Sequence, residues 1–90
     1  MTGRAGKAGA RAISIFGLGY VGTVSAVCLS RLGHRVIGVD VNPAKVGLIN
    51  EGISPIVEPG LAELLREAVA SNRLTATTDA AAAVSSSAVS

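Results

Sequence analysis

Cysteine, histidine and aromatic residues are all scarce in this chain of 90 residues. Its one cysteine, Cys28, has no partner for an internal disulfide, so nothing in the sequence indicates an oxidising compartment. Its one histidine, His34, stands without the other members of a nucleophilic triad. The two aromatic residues, Phe16 and Tyr20, leave a core of Val, Ile, Leu and Ala, which is typical of a parallel sheet covered by helices. We therefore predict that Cys28 is a small buried core residue and not a catalytic nucleophile.

Charge is also sparse, because charged residues make up 16% of the chain against about 25% in ordinary soluble domains. The net charge of +2 arises in the first eleven residues, which hold three of the eight basic residues. Residues 12–90 therefore have five basic and six acidic groups, and the sequence predicts no basic face for nucleic acid. We expect residues 1–11 to form a disordered basic tail and residues 12–90 to form one small domain.

The N-terminal region also has the outline of a secretory signal or a membrane span. A basic stretch over residues 1–11 precedes a largely apolar stretch over residues 12–29. Glycines interrupt the apolar stretch, however, and Val27 is not the small residue that a lipoprotein-type cleavage site requires before Cys28. We therefore expect a cytoplasmic protein that has no membrane partner.

A glycine-rich turn follows the first apolar run. Residues 12–16 predict a buried strand, and Gly17, Gly19 and Gly22 then follow in a Gly-x-Gly-x-x-Gly pattern. Glycines at this spacing permit a tight turn and let the backbone approach a pyrophosphate. The helix that follows supplies free N–H groups and a positive dipole for the phosphate charge.

The segment after the turn has helical periodicity. Residues 20–32 predict a helix, and Gly33 occupies the position of a C-cap glycine. The apolar residues that form one stripe of this helix, and that we expect to be buried, are Val21, Val24, Cys28 and Leu32.

An acidic residue ends the second apolar run. Residues 36–39 predict a strand, and Asp40 follows it, 18 residues after Gly22, close to the spacing of about 20 in dinucleotide-binding folds. A carboxylate there can accept hydrogen bonds from the adenosine ribose, and it would repel the 2′-phosphate of NADP. The pattern predicts an NAD site; the alternative is a plain strand–turn–helix whose glycines serve only packing.

Two charged residues further along each have two interpretations. Asn42 and Pro43 predict the start of a helix over residues 43–50, which places Lys45 in the first turn, where a cation is unfavourable. Lys45 either reaches back to the ribose hydroxyls or is a solvated surface lysine. Glu58 either caps the next helix or points into the nucleotide cleft, and the sequence favours the cap.

The remaining segments predict an amphipathic helix ending at Asn72 and Arg73, a strand over residues 74–77, a short helix over residues 80–85 and the start of another strand over residues 87–90. The predicted fold class is α/β, a partial Rossmann-type doubly wound parallel sheet with three strands and the start of a fourth. In that fold the first strand is central, so we expect one of its edges to lack a partner and the domain to be truncated. The alternative is a naturally short chain completed by a partner or a swapped strand.

Three segments in order resemble one family. They read Ile-Ser-Ile-Phe-Gly-Leu-Gly-Tyr-Val-Gly at 13–22, Gly-Val-Asp-Val-Asn-Pro-Ala-Lys at 38–45 and Ser-Pro-Ile-Val-Glu-Pro-Gly-Leu at 54–61. Over residues 12–80 the chain is similar to the nucleotide-sugar 6-dehydrogenases, which include the UDP-glucose and GDP-mannose enzymes. The UDP-glucose enzymes more often have an aromatic residue where Val57 stands, so the resemblance favours GDP-mannose.

The resemblance implies that the sugar C6 alcohol is oxidised to a carboxylate in two steps, with two NAD⁺ per sugar. It implies backbone contacts from Tyr20 and Val21 to the pyrophosphate, and ribose contacts from Asp40 and Lys45. The catalytic cysteine and the sugar-contacting residues of the family lie beyond residue 90. No catalytic or metal-binding residue is therefore assigned, and we expect these 90 residues alone to be inactive.

By the same resemblance, the full-length enzyme is expected to be a homo-oligomer that takes a nucleotide sugar, GDP-mannose or UDP-glucose. One alternative is another NAD-dependent dehydrogenase, such as the 3-hydroxyacid type, which the Glu-Pro-Gly-Leu segment disfavours. The other is a non-catalytic dinucleotide-binding module, since half of a Rossmann fold can bind without reacting.

Overall fold

The computed structural model describes residues 11–85 of the chain. Strands and helices alternate, as the α/β class predicts, except that two helices follow each other between the second and third strands. In chain order the elements are β1 (Ala12–Phe16), α1 (Tyr20–Arg31), β2 (Arg35–Val39), α2 (Pro43–Asn50), α3 (Leu61–Ala70), β3 (Leu74–Thr77) and α4 (Ala80–Ser85). The strand predicted at residues 87–90 lies outside the described residues, as does the predicted tail apart from Arg11.

The sheet has three parallel strands in the order β1-β2-β3. Its register pairs Ile13 with Val36 and Val36 with Leu74, so the three strands end at the same edge of the sheet. Within residues 11–85, β1 pairs with β2 alone, which leaves its other edge without a neighbouring strand, as the sequence led us to expect. The carboxyl ends of parallel strands are where ligands bind in folds of this kind.

Three helices end in the same way, with a left-handed residue after the last turn. Gly33 has a φ of 102°, Gly52 a φ of 80° and Asn72 a φ of 63°. In the first of these ends, the N–H of His34 donates to the carbonyl of Leu29 at 3.3 Å, which completes a Schellman motif. The helix ends predicted at these positions are therefore confirmed.

The face of α1 that packs on the sheet differs from the predicted stripe. Val21, Cys28 and Leu32 are exposed, whereas Val24 is half-buried against the core. The prediction that this stripe is buried is therefore wrong for three of its four residues, and the prediction that Cys28 is a core residue is wrong. The buried residues of the helix are Thr23, Ala26, Val27 and Ser30.

Two hydroxyl groups explain why hydropathy did not predict this buried face of α1. Thr23 Oγ1 donates to the carbonyl of Leu18 at 3.0 Å, and Ser30 Oγ donates to the carbonyl of Ala26 at 2.8 Å. Since both hydroxyls are satisfied by nearby backbone, these small polar residues can face the sheet at little cost.

Helix α3 buries Leu61, Leu65 and Ala68, as its periodicity predicts. Its N-cap is Gly60, and among the described residues no side chain caps it. The predicted cap by Glu58 is therefore wrong, because Glu58 contributes only its backbone carbonyl, which accepts from the N–H of Leu61 at 3.0 Å. The exposed side chain of Glu58 adds no restraint to the start of the helix.

The core that the helices and sheet enclose is made of aliphatic residues, among them Leu18, Val27, Val36, Ile49, Leu65 and Leu74.

Candidate functional site

The glycine turn between β1 and α1 is fixed by backbone contacts. Gly17 has a φ of 90°, a conformation that side chains rarely allow. Its N–H donates to the carbonyl of Val39 at 2.8 Å, which ties the turn to the end of β2. A Cβ at Gly22 would overlap the carbonyl oxygen of Gly17, so the helix approaches the turn as closely as backbone permits. A Cβ at Gly19 would meet nothing within 4 Å, so this position faces open space.

The first turn of α1 presents its N–H groups to that open space. Gly19 is the N-cap, and within residues 11–85 no side chain hydrogen bond caps the helix. Tyr20 and Val21 are 56% and 73% exposed, so the backbone here is accessible to a ligand. Uncapped N–H groups and the helix dipole together form a site for an anion such as a phosphate.

Asp40 lies beside this turn, directly after β2. Its Oδ2 accepts from the N–H of Leu18 at 2.8 Å, and its Oδ1 accepts from the N–H of Asn42 at 2.9 Å. The Nζ of Lys45 lies 3.6 Å from Oδ2, and the side chains of Lys45 and Asp40 are 29% and 11% exposed. These contacts fix the orientation of the carboxylate while leaving it at the surface of the cleft.

The pKa of Asp40 is lowered from its ordinary value of 3.8. The largest cause is the hydrogen bond from the N–H of Leu18, followed by the bond from the N–H of Asn42, with a further contribution from the charge of Lys45. Asp40 is therefore ionised throughout the physiological pH range and acts only as a hydrogen-bond acceptor.

The position of Lys45 follows from the start of α2. Asn42 is the N-cap, and its Oδ1 accepts from the N–H groups of Ala44 at 2.9 Å and of Lys45 at 3.4 Å. Pro43 occupies the first helical position, as predicted. The first turn consequently directs the ammonium group of Lys45 toward Asp40, and this ion pair offsets the unfavourable position of a cation at a helix N-terminus.

A cleft of about 280 Å³ lies between the ends of the strands and is open to solvent. The sequence predicted that Gly17 and Asp40 border such a cleft, but it did not identify the other lining residues. Those residues come from the ends of all three strands and from α4: Phe16, Val39, Val41, Thr78 and Ala80. The signal for them is position alone, because each lies at or just beyond the carboxyl end of a strand or at the start of a helix.

Two charged or nucleophilic residues lie apart from this cleft. Glu58 lines a separate groove of about 440 Å³ together with Ile53 and Arg66, so it does not border the cleft that Asp40 lines. Cys28 lies on the exposed face of α1.

Across residues 11–85, His, Cys, Asp and Glu form no group that could hold a metal ion. None of the helices described for this part of the chain is long and apolar enough to cross a membrane.

The parallel sheet, the uncapped helix after a glycine turn and the carboxylate at the end of β2 define a Rossmann-type dinucleotide-binding domain. Comparison with known proteins narrows this class. The profile of the UDP-glucose/GDP-mannose dehydrogenase family, NAD binding domain, matches residues 11–90. The chain belongs to this family, and the predicted recognition of nucleotide-sugar dehydrogenases and of NAD as the cofactor is confirmed.

The relatives of this chain include GDP-mannose 6-dehydrogenases and UDP-glucose 6-dehydrogenases. The chain is 62% identical over 78 residues to the GDP-mannose 6-dehydrogenase of Pseudomonas putida, a match that covers 87% of this chain and 18% of that protein. It is 54% identical over 67 residues to a UDP-glucose 6-dehydrogenase of Haloferax volcanii, covering 74% of this chain and 15% of that protein. The chain thus spans less than a fifth of the length of these relatives.

Solved structures show the same fold. A ternary complex of GDP-mannose dehydrogenase from Pseudomonas aeruginosa is 61% identical, with a TM-score of 0.82, and the match covers 83% of this chain and 17% of that one. A UDP-glucose dehydrogenase from Pyrobaculum islandicum is 42% identical, with a TM-score of 0.85, covering 97% of this chain and 20% of that one. The predicted Rossmann-type fold class is therefore confirmed.

Proposed function

We propose that this chain is the NAD-binding part of a nucleotide-sugar 6-dehydrogenase that oxidises the C6 alcohol of GDP-mannose to a carboxylate with two NAD⁺ per sugar. The sugar assignment is supported by identity, which is 62% to a GDP-mannose enzyme and 54% and 40% to two UDP-glucose enzymes. Val57 in the segment before α3 supports the same choice through the resemblance described above. Homo-oligomerisation and a cytoplasmic location stay predictions.

The residues that we propose hold NAD lie on two sides of the glycine turn. On one side, the N–H groups of Tyr20 and Val21 would bind the pyrophosphate, Gly19 would give it room, and Gly17 and Gly22 would allow the tight turn around it. This assignment is supported by the open space at Gly19 and by the uncapped start of α1.

On the other side, Asp40 and Lys45 would hold the adenosine ribose. The single observation on which this depends is the carboxylate of Asp40, held 2.8 Å from the N–H of Leu18 beside the turn. Two lone pairs on each oxygen leave Asp40 able to accept ribose hydroxyls in addition to its backbone donors. Lys45, 3.6 Å from Oδ2, would donate to the same hydroxyls and keep the carboxylate in place. The chemistry that bound NAD⁺ supplies is acceptance of a hydride from the sugar carbon.

The sugar assignment is tested by turnover of the intact protein in which this chain occurs. With GDP-mannose we expect two NADH per sugar, measured by absorbance, and at least tenfold lower kcat/KM with UDP-glucose, a discrimination of about 1.4 kcal/mol. Equal or better turnover of UDP-glucose would reverse the sugar assignment. The absence of NADH with either sugar would refute the dehydrogenase function.

The cofactor contacts are tested separately by calorimetry with NAD⁺. Asp40→Ala should weaken binding about ten- to a hundredfold, the effect expected for hydrogen bonds to a charged group. Lys45→Met should weaken it less, because the ammonium is more exposed than the carboxylate. Glu63→Gln removes a carboxylate from the exposed side of α3 and is the matched control. Unchanged affinity in Asp40→Ala would remove Asp40 from the site.

A further inference from the structure

Asn50, the last residue of α2, makes two hydrogen bonds to a single residue of β3. Its Nδ2 donates to the carbonyl of Ala76 at 2.9 Å, and its Oδ1 accepts from the N–H of Ala76 at 2.8 Å. The two residues are 26 positions apart, so this is a tertiary contact and not part of a turn. A side-chain amide has a donor and an acceptor on two adjacent atoms, so it can pair with the N–H and the carbonyl of one residue. An ionised Asp has no donor, Ala has neither group, and Ser has a single oxygen on a shorter side chain.

The geometry of β3 explains why Ala76 needs such a partner. The carbonyls of Arg73 and Thr77 accept from β2 and the residue after it, at 2.7 Å from Val36 and 3.2 Å from Asp40. Alternate residues of a strand point their backbone groups to opposite sides, so those of Ala76 point away from β2, toward the outer edge of the sheet. Ala76 is only 7% exposed, and its polar groups would lose much of their access to water without the amide of Asn50.

This contact joins two elements that lie next to residues of the cofactor cleft, α2 after Val41 and β3 before Thr78. At its other end α2 begins beside Asp40 and carries Lys45 in its first turn. Two residues beyond Ala76, β3 gives way to Thr78, which lines the cleft. The amide of Asn50 therefore sets how the helix with the cation sits against the strand that leads to the opposite wall.

We infer that Asn50 is a positioning residue that shapes the adenosine half of the NAD cleft by fixing α2 to β3. The inference rests on the proposed function, in which Asp40 and Lys45 hold the adenosine ribose. A purely structural role is the alternative: the amide would then satisfy the edge of β3 and stabilise the fold without affecting how the cofactor binds.

The test compares two halves of the cofactor on the intact protein. ADP-ribose contains adenosine, whereas nicotinamide mononucleotide does not, and both are titrated by calorimetry. For Asn50→Ala we expect ADP-ribose to bind about three- to tenfold more weakly, the loss that corresponds to one net hydrogen bond. Binding of nicotinamide mononucleotide should be unchanged. Equal weakening of both ligands, or of neither, would overturn the inference.

A matched control distinguishes an effect on the position of α2 from a general loss of stability. Asn72→Ala makes the same substitution at the opposite end of β3, where the φ of 63° would strain an alanine. It should lower the unfolding temperature while leaving the affinity for ADP-ribose unchanged. If Asn72→Ala weakens ADP-ribose as much as Asn50→Ala does, loss of stability alone accounts for the effect and the inference fails.

A second measurement needs no variant of Asn50. In the unmodified protein, amide hydrogen exchange at Ala76 should slow when ADP-ribose binds and should not respond to nicotinamide mononucleotide. If ADP-ribose does not change the rate of amide hydrogen exchange at Ala76, the inference is overturned. Asp40→Ala distinguishes this failure from a failure of the proposed site: if it weakens ADP-ribose while Asn50→Ala does not, only the role of Asn50 is refuted.

Discussion

Gly22→Ala tests the contact between the first helix and the glycine turn. In the structure, a Cβ at this position would overlap the carbonyl oxygen of Gly17 and lie 3.0 Å from its carbonyl carbon. The obstacle is backbone and cannot rotate away as a side chain would, so α1 must shift or the turn must open. Overpacking of this kind costs about 1–3 kcal/mol or more, and the intrinsic helical preference of alanine returns about 1 kcal/mol. Because the obstacle is backbone, we take the upper end of that range, about 3 kcal/mol, and expect a net loss of about 2 kcal/mol in the free energy of unfolding.

The same substitution at Gly47 is the control. Gly47 lies inside α2, and a Cβ there would meet nothing within 4 Å. Gly47→Ala should therefore raise the free energy of unfolding by about 0.5–1 kcal/mol, so that the two variants move in opposite directions. Urea unfolding followed by circular dichroism measures both, and calorimetry should show weaker NAD⁺ binding for Gly22→Ala alone. A Gly22→Ala protein within about 0.5 kcal/mol of the unmodified one, a shift that ordinary surface changes also produce, would refute the close contact.

Three further predictions concern the turn and the start of α2. Because the pKa of Asp40 is lower in the folded state, its contribution to stability is present above pH 3.8 and is lost as the pH falls through the folded pKa. Acid titration of unfolding should show this loss, and Asp40→Asn should lack it. Asn42→Ala should cost about 1 kcal/mol through loss of the helix cap, with Asn42→Ser retaining most of the stability. Gly17→Ala should cost about 1–2 kcal/mol through its positive φ, measured by the same unfolding assay.

Local sequence patterns were sufficient to predict most of the elements and the candidate site. Capping signals located the ends of the helices, because Asn42, Gly33 and Gly52 act through their own backbone and nearest neighbours. The Asp40 carboxylate and the glycine turn were predicted from spacing, and the structure brings them together. For Lys45 the sequence left two alternatives, contact with the ribose hydroxyls or a solvated surface lysine. The structure adds an ion pair with Asp40, at 3.6 Å from Nζ to Oδ2, and the ribose contact stays a prediction.

Tertiary contacts limited what the sequence could predict elsewhere. The buried face of α1 includes Thr23 and Ser30, whose hydroxyls donate to the carbonyls of Leu18 and Ala26. Hydropathy counts these residues as polar, and it therefore selected the exposed stripe that includes Cys28 and Leu32. The bond between Asn50 and Ala76 links residues 26 positions apart, and no local pattern indicates it.

The glycine turn and Asp40 lie side by side because of the sheet register. Phe16 lies opposite Val39 in the parallel pair, so the next residues, Gly17 and Asp40, emerge side by side at the same edge. The N–H of Gly17 bonds to the carbonyl of Val39 at 2.8 Å, and the N–H of Leu18 bonds to Asp40 at 2.8 Å. The helix between the strands can change in length without altering this arrangement, provided that the register is kept. What a dinucleotide site requires is therefore this adjacency, and the spacing of about 20 residues in the sequence reflects the usual length of the turn and helix between the strands.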